Sequence, residues 1–164
     1  MRDALIAELK SESALTKKIL ERVSLDKKDW KPHEKSMSLG RLATHVAEIP
    51  HWISDIINID DFDFLARPYS SHVASSQEEL IQIFNDNLER ALDDLGATDI
   101  GAFDKNWTLR RGDNIIFELP KTKVIRSWGF SHLFHHRGQL SVYLRLLDIP
   151  VPGMYGPSAD EKIK

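Results

Sequence analysis

The chain of 164 residues contains no cysteine. Disulfide bonds, thiolate-bound metals and an internal cysteine nucleophile are therefore excluded. A long apolar run is also missing, and the helix-like sequence that follows Met1 does not resemble an apolar signal region. These absences predict a soluble, cytoplasmic protein without a membrane partner.

Neither acidic nor basic residues are in marked excess. The 22 basic and 25 acidic residues give a formal net charge of −3, and no basic run is interleaved with aromatic residues. Nothing in this pattern favours nucleic acid as a partner.

Helical periodicity dominates what remains. The length suits one domain over residues 1–164, and apolar residues recur at helical spacing in four segments. Ser38 is a plausible N-cap of the second segment, and Pro50 should kink that helix or split it. We predict helices over residues 3–24, 38–59, from Ser75 or Ser76 to about Gly96, and from Pro120 to Leu147.

Two other segments connect these helices. Residues 60–76 are predicted to form a polar and aromatic loop. Two β-prone runs on either side of Gly112-Asp113 predict a short hairpin. The fold class is therefore all-α, a four-helix bundle with a small β-hairpin insert before the last helix.

Two histidines lie one turn apart on the apolar stripe of the fourth helix. Residues i and i+4 of a helix point in nearly the same direction, so His132 and His136 can share a metal ion such as Zn, Ni, Fe or Cu. His135 is rotated away from both and is expected to flank the site.

A third imidazole lies on the apolar stripe of the second helix. If the two helices are neighbours, His45 joins His132 and His136 inside the bundle. Three protein nitrogens leave a coordination position open, as in catalytic metal sites. The alternative is that all three are hydrogen-bonded core histidines.

Other metal motifs do not match. The zincin motif needs a glutamate after its first histidine, where this chain has Leu133. A di-iron bundle needs two Glu-x-x-His motifs; Glu48-Ile-Pro-His51 is one match, but Gly129 occupies the corresponding glutamate position in the fourth helix.

Three residues are candidates to assist the metal ligands. Glu48 lies one turn from His45 and is either a carboxylate beside the ligand or a solvated charge. His135 flanks the site. Arg137 is expected to bind an anionic substrate, the carboxy-terminal segment or a surface carboxylate. Four aromatic residues are expected to be core or lid residues rather than a platform for a ligand: Trp30, Trp52, Trp128 and Tyr155.

Several of these motifs resemble the DinB-like family of four-helix metalloproteins. The resemblance is most specific in His132-x-x-x-His136-Arg-Gly-Gln139, in Tyr143-Leu-Arg, and in the closing run from Val151 to Glu161. Leu42-x-x-His45 resembles the first ligand motif of that family, and the similarity extends over nearly the whole chain.

The resemblance implies a divalent metal, zinc or nickel, held by His45, His132 and His136. Relatives with known activity include bacillithiol S-transferases and the mycothiol-dependent maleylpyruvate isomerase, and relatives are often homodimers. By analogy, the metal would activate a low-molecular-weight thiol cosubstrate for attack on a small-molecule electrophile. The DNA polymerase that shares the family's name is unrelated.

Two other functions remain open. A metal-dependent hydrolase would need a base or an oxyanion donor, for which only Glu48, His135 and Arg137 are candidates. A non-enzymatic, metal-stabilised stress or binding module would need neither.

Overall fold

The structure, a computed structural model, describes residues 1–67 and 71–161. This part of the chain forms four main helices and one small sheet. The fourth helix, α4, consists of an α-helical turn, a π-helical segment and a longer α-helix in direct succession. The first three helices are α1 Arg2–Leu20, α2 Leu39–Asn58 and α3 Gln77–Ala97. The three parts of α4 are Lys121–Val124, Ile125–Ser131 and His132–Leu146. The strands are β1 Asp61–Asp63, β2 Asn106–Arg111 and β3 Asn114–Pro120.

Side-chain caps begin two of the helices. The hydroxyl of Ser38 accepts a hydrogen bond from the backbone N–H of Arg41 at 3.3 Å, and that of Ser76 accepts from Glu79 at 3.2 Å. Each satisfies an N–H group that has no partner within the helix. Both predicted starts are confirmed. Of the two alternatives predicted at Pro50, a kink or a split, the split is excluded because α2 continues through this residue.

The helices are not arranged in chain order. Helix α2 packs between α3 and α4, and α1 packs against the same two helices from the other side. Helices α1 and α2 therefore lie diagonally across the bundle. The two helices that carry the candidate ligands are neighbours, as the metal hypothesis requires.

The predicted hairpin is part of a three-stranded sheet. Strands β2 and β3 pair in antiparallel fashion around a two-residue turn in which Gly112 has a φ of 60°, a value that favours glycine. The prediction of a plain loop over residues 60–76 is wrong at its start, because β1 pairs in parallel with β2. The Arg110 guanidinium donates to Asp61 at 2.6 Å and to Asp63 at 2.8 Å. Residues 68–70 of that loop and residues 162–164 lie outside the described residues.

The core continues from the bundle into the base of the sheet. Its largest fully buried side chains include Trp107 of β2 and Phe84 of α3, together with Phe103 and Phe130. Among the described residues, no helix has both the length and the apolar character needed to cross a membrane.

Candidate metal centre

Three imidazoles converge where α2 faces α4. The Nε2 atoms of His45 and His132 lie 3.0 Å apart, and one ring nitrogen from each of His45, His132 and His136 lies within 4.8 Å of the others. The three ring centroids are separated by 4.5, 4.6 and 5.0 Å. The structure thus brings together the three histidines that the sequence selects. We refer to them as the three-histidine cluster.

Close packing of α2 against α4 brings His45 near His132 and His136. A β-carbon on Gly129 would lie 3.0 Å from the Cγ1 atom of Ile53, so glycine allows the two helices to approach closely. Gly129 belongs to the π-helical segment Ile125–Ser131, which ends immediately before His132. The sequence predicts a helix here but not its π geometry, which is often found at functional sites.

Two of the three imidazoles, those of His132 and His136, are held in the neutral form that binds metals. His45 is only 7 % exposed, and the other two histidines of the cluster are partly exposed. Burial lowers the pKa of His132 to about 4, with further lowering by His136, His45 and His135. Burial also lowers the pKa of His136 to about 4, although the hydrogen bond that its ring donates to Gln139 acts in the opposite direction. At neutral pH both rings therefore carry an unprotonated nitrogen.

Gln139 determines which nitrogen of His136 is free. Its Oε1 atom lies 2.8 Å from Nδ1 of His136, and an amide oxygen can only accept. Nδ1 therefore carries the proton, and Nε2 is left to bind an ion. This role was not predicted from the sequence, although the i, i+3 spacing of Gln139 from His136 indicates it.

Glu48 lies beside His45, the buried member of the three-histidine cluster. Its Oε2 atom is 3.8 Å from Nδ1 of His45 and accepts a hydrogen bond from Arg41 at 2.9 Å. Arg41 also donates to the backbone carbonyl of His72 at 3.1 Å. The guanidinium of Arg41 thus balances the negative charge of Glu48 near His45. The ion pair holds the carboxylate in place, and only 23 % of the Glu48 side chain is exposed.

The other two candidates occupy different environments. His135 is exposed, and its ring lies 4.8 Å from that of His136. Arg137 is only 3 % exposed. It donates to the carboxylate of Glu12 at 2.7 Å and to the hydroxyl of Thr16 at 3.1 Å, both on α1, and it also donates to Tyr155 of the closing segment. Its described contacts join α4 to α1 and to that segment.

The donor set fits a divalent ion. Imidazole nitrogens about 2.0–2.1 Å from a shared tetrahedral ion lie about 3.3 Å from each other. Here the Nε2 atoms of His45 and His132 lie 3.0 Å apart, and the three ring nitrogens lie within 4.8 Å of one another. Among the described residues, no carboxylate and no further imidazole joins the cluster. An ion bound there would keep at least one position for solvent or substrate.

Comparison with known proteins agrees with this architecture. The model of the DinB family matches residues 1–163, so the chain belongs to the DinB family. It is 26 % identical over 156 residues to the uncharacterized protein YrdA of Bacillus subtilis (strain 168), covering 93 % of this chain and 87 % of the relative.

Solved structures share the fold. A DinB-like protein from Bacillus subtilis, YjoA, superposes with a TM-score of 0.71 at 17 % identity over 98 % of this chain and 99 % of its own. A DinB-like protein from Bacillus cereus ATCC 10987 gives 0.70 at 20 % identity, over 93 % and 97 %. At these identities the likeness shows the four-helix fold alone.

Proposed function

We propose that this protein is a metal-dependent enzyme of the thiol-transferase type. The observation that carries the proposal is the convergence of His45, His132 and His136, two of them with a pKa lowered to about 4, around a point with no fourth protein ligand among the described residues. A divalent ion bound there, zinc or nickel, supplies Lewis acidity that deprotonates a coordinating thiol.

The cosubstrate is a low-molecular-weight thiol. The chain has no cysteine, so sulfur chemistry requires a thiol from outside. In the transfer, its sulfur forms a bond to an electrophilic carbon, the leaving group departs with the bonding electron pair, and the thiol proton passes to solvent. Such thiols are kept reduced in the cytoplasm, where we place the protein.

The surroundings of the cluster support thiol transfer over hydrolysis. Hydrolysis by metal-bound water would benefit from a general base beside the metal. The nearby carboxylate of Glu48 is ion-paired with Arg41, and Leu133 follows His132. A thiol, in contrast, is already a strong nucleophile once it has lost its proton.

The test is loss of free thiol. Protein loaded with zinc or nickel is incubated with cysteine, glutathione or bacillithiol and a model electrophile, beside the His132→Ala variant. We expect consumption that requires both metal and His132. Hydrolysis of an ester without thiol would instead favour the metal-dependent hydrolase. Metal-dependent stability without turnover would favour a non-enzymatic stress or binding module.

We also propose a homodimer. Apolar side chains of α4 are exposed, with Val142 at 56 % and Leu146 at 57 %. A β-carbon added at Gly138, on the same exposed side, would touch nothing within 4 Å. Sedimentation of the wild type against Leu146→Glu tests this: the wild type should sediment as a dimer and the variant as a monomer.

A further inference from the structure

Three partly exposed aromatic side chains, two of which pack on the third, lie at one side of the three-histidine cluster. The indole of Trp128 lies 5.8 Å from the ring of Phe117 and 6.4 Å from that of Phe64. All three side chains are partly buried rather than core residues. We call Trp128, Phe117 and Phe64 the aromatic patch.

The patch is assembled from three separate parts of the chain. Trp128 belongs to the π-helical segment of α4, Phe117 to β3, and Phe64 follows β1 directly. The parallel pairing of β1 with β2 therefore has a consequence at the site, because it places Phe64 beside the other two rings.

A buried aromatic layer supports the patch. Trp52 lies 5.8 Å from Trp128, and Trp107 lies 6.0 Å from Phe117. Both supporting side chains are at most 9 % exposed. Rings that rest on a packed layer lose little further freedom when they bind a ligand, so they offer a preorganised surface.

The patch is continuous with the candidate metal centre. The rings of Trp128 and His132 meet edge to face, with centroids 6.1 Å apart and an interplanar angle of 81°. Both residues are partly exposed, and they lie one helical turn apart. A molecule held beside the three-histidine cluster on the side of His132 would have Trp128 within reach.

We propose that the aromatic patch binds a planar aromatic group carried by the electrophilic substrate, which gives Trp128 a ligand-binding role in place of the core or lid role expected from the sequence. This inference rests on the proposed function, because it takes the three-histidine cluster to be the reacting centre. Offset and edge-to-face contacts with Trp128, Phe117 and Phe64 favour an aromatic ring over an aliphatic group of similar size. The sheet insert thus contributes to substrate selection.

Binding to the metal-loaded protein tests this without turnover. The protein is loaded with cobalt, whose visible absorption reports ligands at the open position, and titrated with 1-methylimidazole and with 1-benzylimidazole. The two probes offer the same donor nitrogen and differ in the aromatic group. We expect 1-benzylimidazole to bind about tenfold more tightly to the wild type.

Variants locate the origin of that difference. Trp128→Leu and Phe117→Leu keep apolar bulk but remove a ring, and each should reduce the benzyl preference to about twofold or less. The control is Phe134→Leu, because Phe134 lies two residues beyond His132, on another side of α4, next to Phe130. This variant should keep the preference. The affinity for 1-methylimidazole checks that the metal centre of each variant is intact.

The outcomes separate the two claims. If cobalt binds and both probes have equal affinity, or if the benzyl preference survives in both patch variants, this inference is overturned and the proposed metal centre stands. If cobalt does not bind to the wild type, the proposed function fails, and the inference fails with it.

Discussion

Nδ1 of His136 donates a hydrogen bond of 2.8 Å to Oε1 of Gln139, one helical turn further along α4. This bond orients the ring and leaves Nε2 unprotonated, so Gln139 positions a candidate metal ligand without being one. This hydrogen bond joins two residues that are three positions apart on α4, so no other helix or strand is required to form it.

Replacing Gln139 should weaken metal binding. In Gln139→Leu the ring loses its acceptor, and we expect metal affinity to fall about 10- to 100-fold. Gln139→Glu keeps an acceptor oxygen and is the control, with affinity near that of the wild type. Competition with a chelator measures both. Equal affinity of Gln139→Leu and the wild type would contradict this role.

The metal-free protein should lose stability as the pH falls. The pKa of His132 and that of His136 are lowered from 6.5 to about 4 in the folded state. At pH values between 6.5 and 4, these two histidines bind protons in the unfolded chain but not in the folded protein. Their contribution to the free energy of unfolding is therefore fully present above pH 6.5 and is lost as the pH falls toward 4.

The pH effect is measured by denaturant unfolding with chelator present, between pH 7.5 and 5. The control is the double variant His132→Gln, His136→Gln, in which the decrease should be smaller. Other titrating groups cancel in the comparison. The same slope in both proteins would show that the two imidazoles are not held neutral by the fold.

Arg137 should stabilise the bundle rather than the site. In Arg137→Met the carboxylate of Glu12, 12 % exposed, loses its charge partner. Removing one partner of a buried ion pair costs about 3–5 kcal/mol. Arg126 forms an exposed ion pair with Glu8 between the same two helices. Arg126→Met is therefore a matched control, expected to cost less than about 1 kcal/mol.

Chemical denaturation and metal analysis together test the Arg137 prediction. Arg137→Met should still bind metal under conditions where it is folded, because the guanidinium contacts α1 and the closing segment. A folded Arg137→Met that has lost its metal would place this residue at the site instead.

A buried lysine donates hydrogen bonds to backbone carbonyls at the C-terminal end of α2. Lys121 is only 4 % exposed. Its Nζ atom donates to the carbonyls of Ile57 at 2.8 Å and Ile59 at 3.0 Å, and it lies 2.7 Å from a carboxylate oxygen of Asp60. Loss of a hydrogen bond to a charged group costs about 1.5–3 kcal/mol, so Lys121→Met should destabilise the protein by at least this amount. The exposed Lys123 provides the control, Lys123→Met, which should have little effect on the denaturation midpoint.

The three-histidine cluster was predictable because it depends on helical periodicity. His45, His132 and His136 occupy apolar stripes, and a polar residue on such a stripe stands out in the sequence. That their helices would be neighbours was an assumption, since chain order does not determine which helices of a bundle touch. The four helices and the Ser38 cap were predictable for the same local reasons.

What the sequence did not reveal depends on contacts between distant segments. Strand β1 has three residues and forms through pairing with β2 and the Arg110 ion pairs, which no local pattern indicates. The π-helical geometry before His132 accompanies the packing of Gly129 on Ile53. The buried position of Arg137 likewise depends on α1 and on Tyr155.

The metal content of the purified protein shows whether the three-histidine cluster binds a divalent ion. Wild type, His45→Ala and His51→Ala are purified without a histidine tag, loaded with zinc or nickel, and measured by mass spectrometry. His51 is on the same helix but outside the cluster, 3.5 Å from Asp55, and serves as the control. We expect about one divalent ion per chain in the wild type and in His51→Ala, and loss of the ion in His45→Ala. No metal in the loaded wild type, or full retention in His45→Ala, would contradict it.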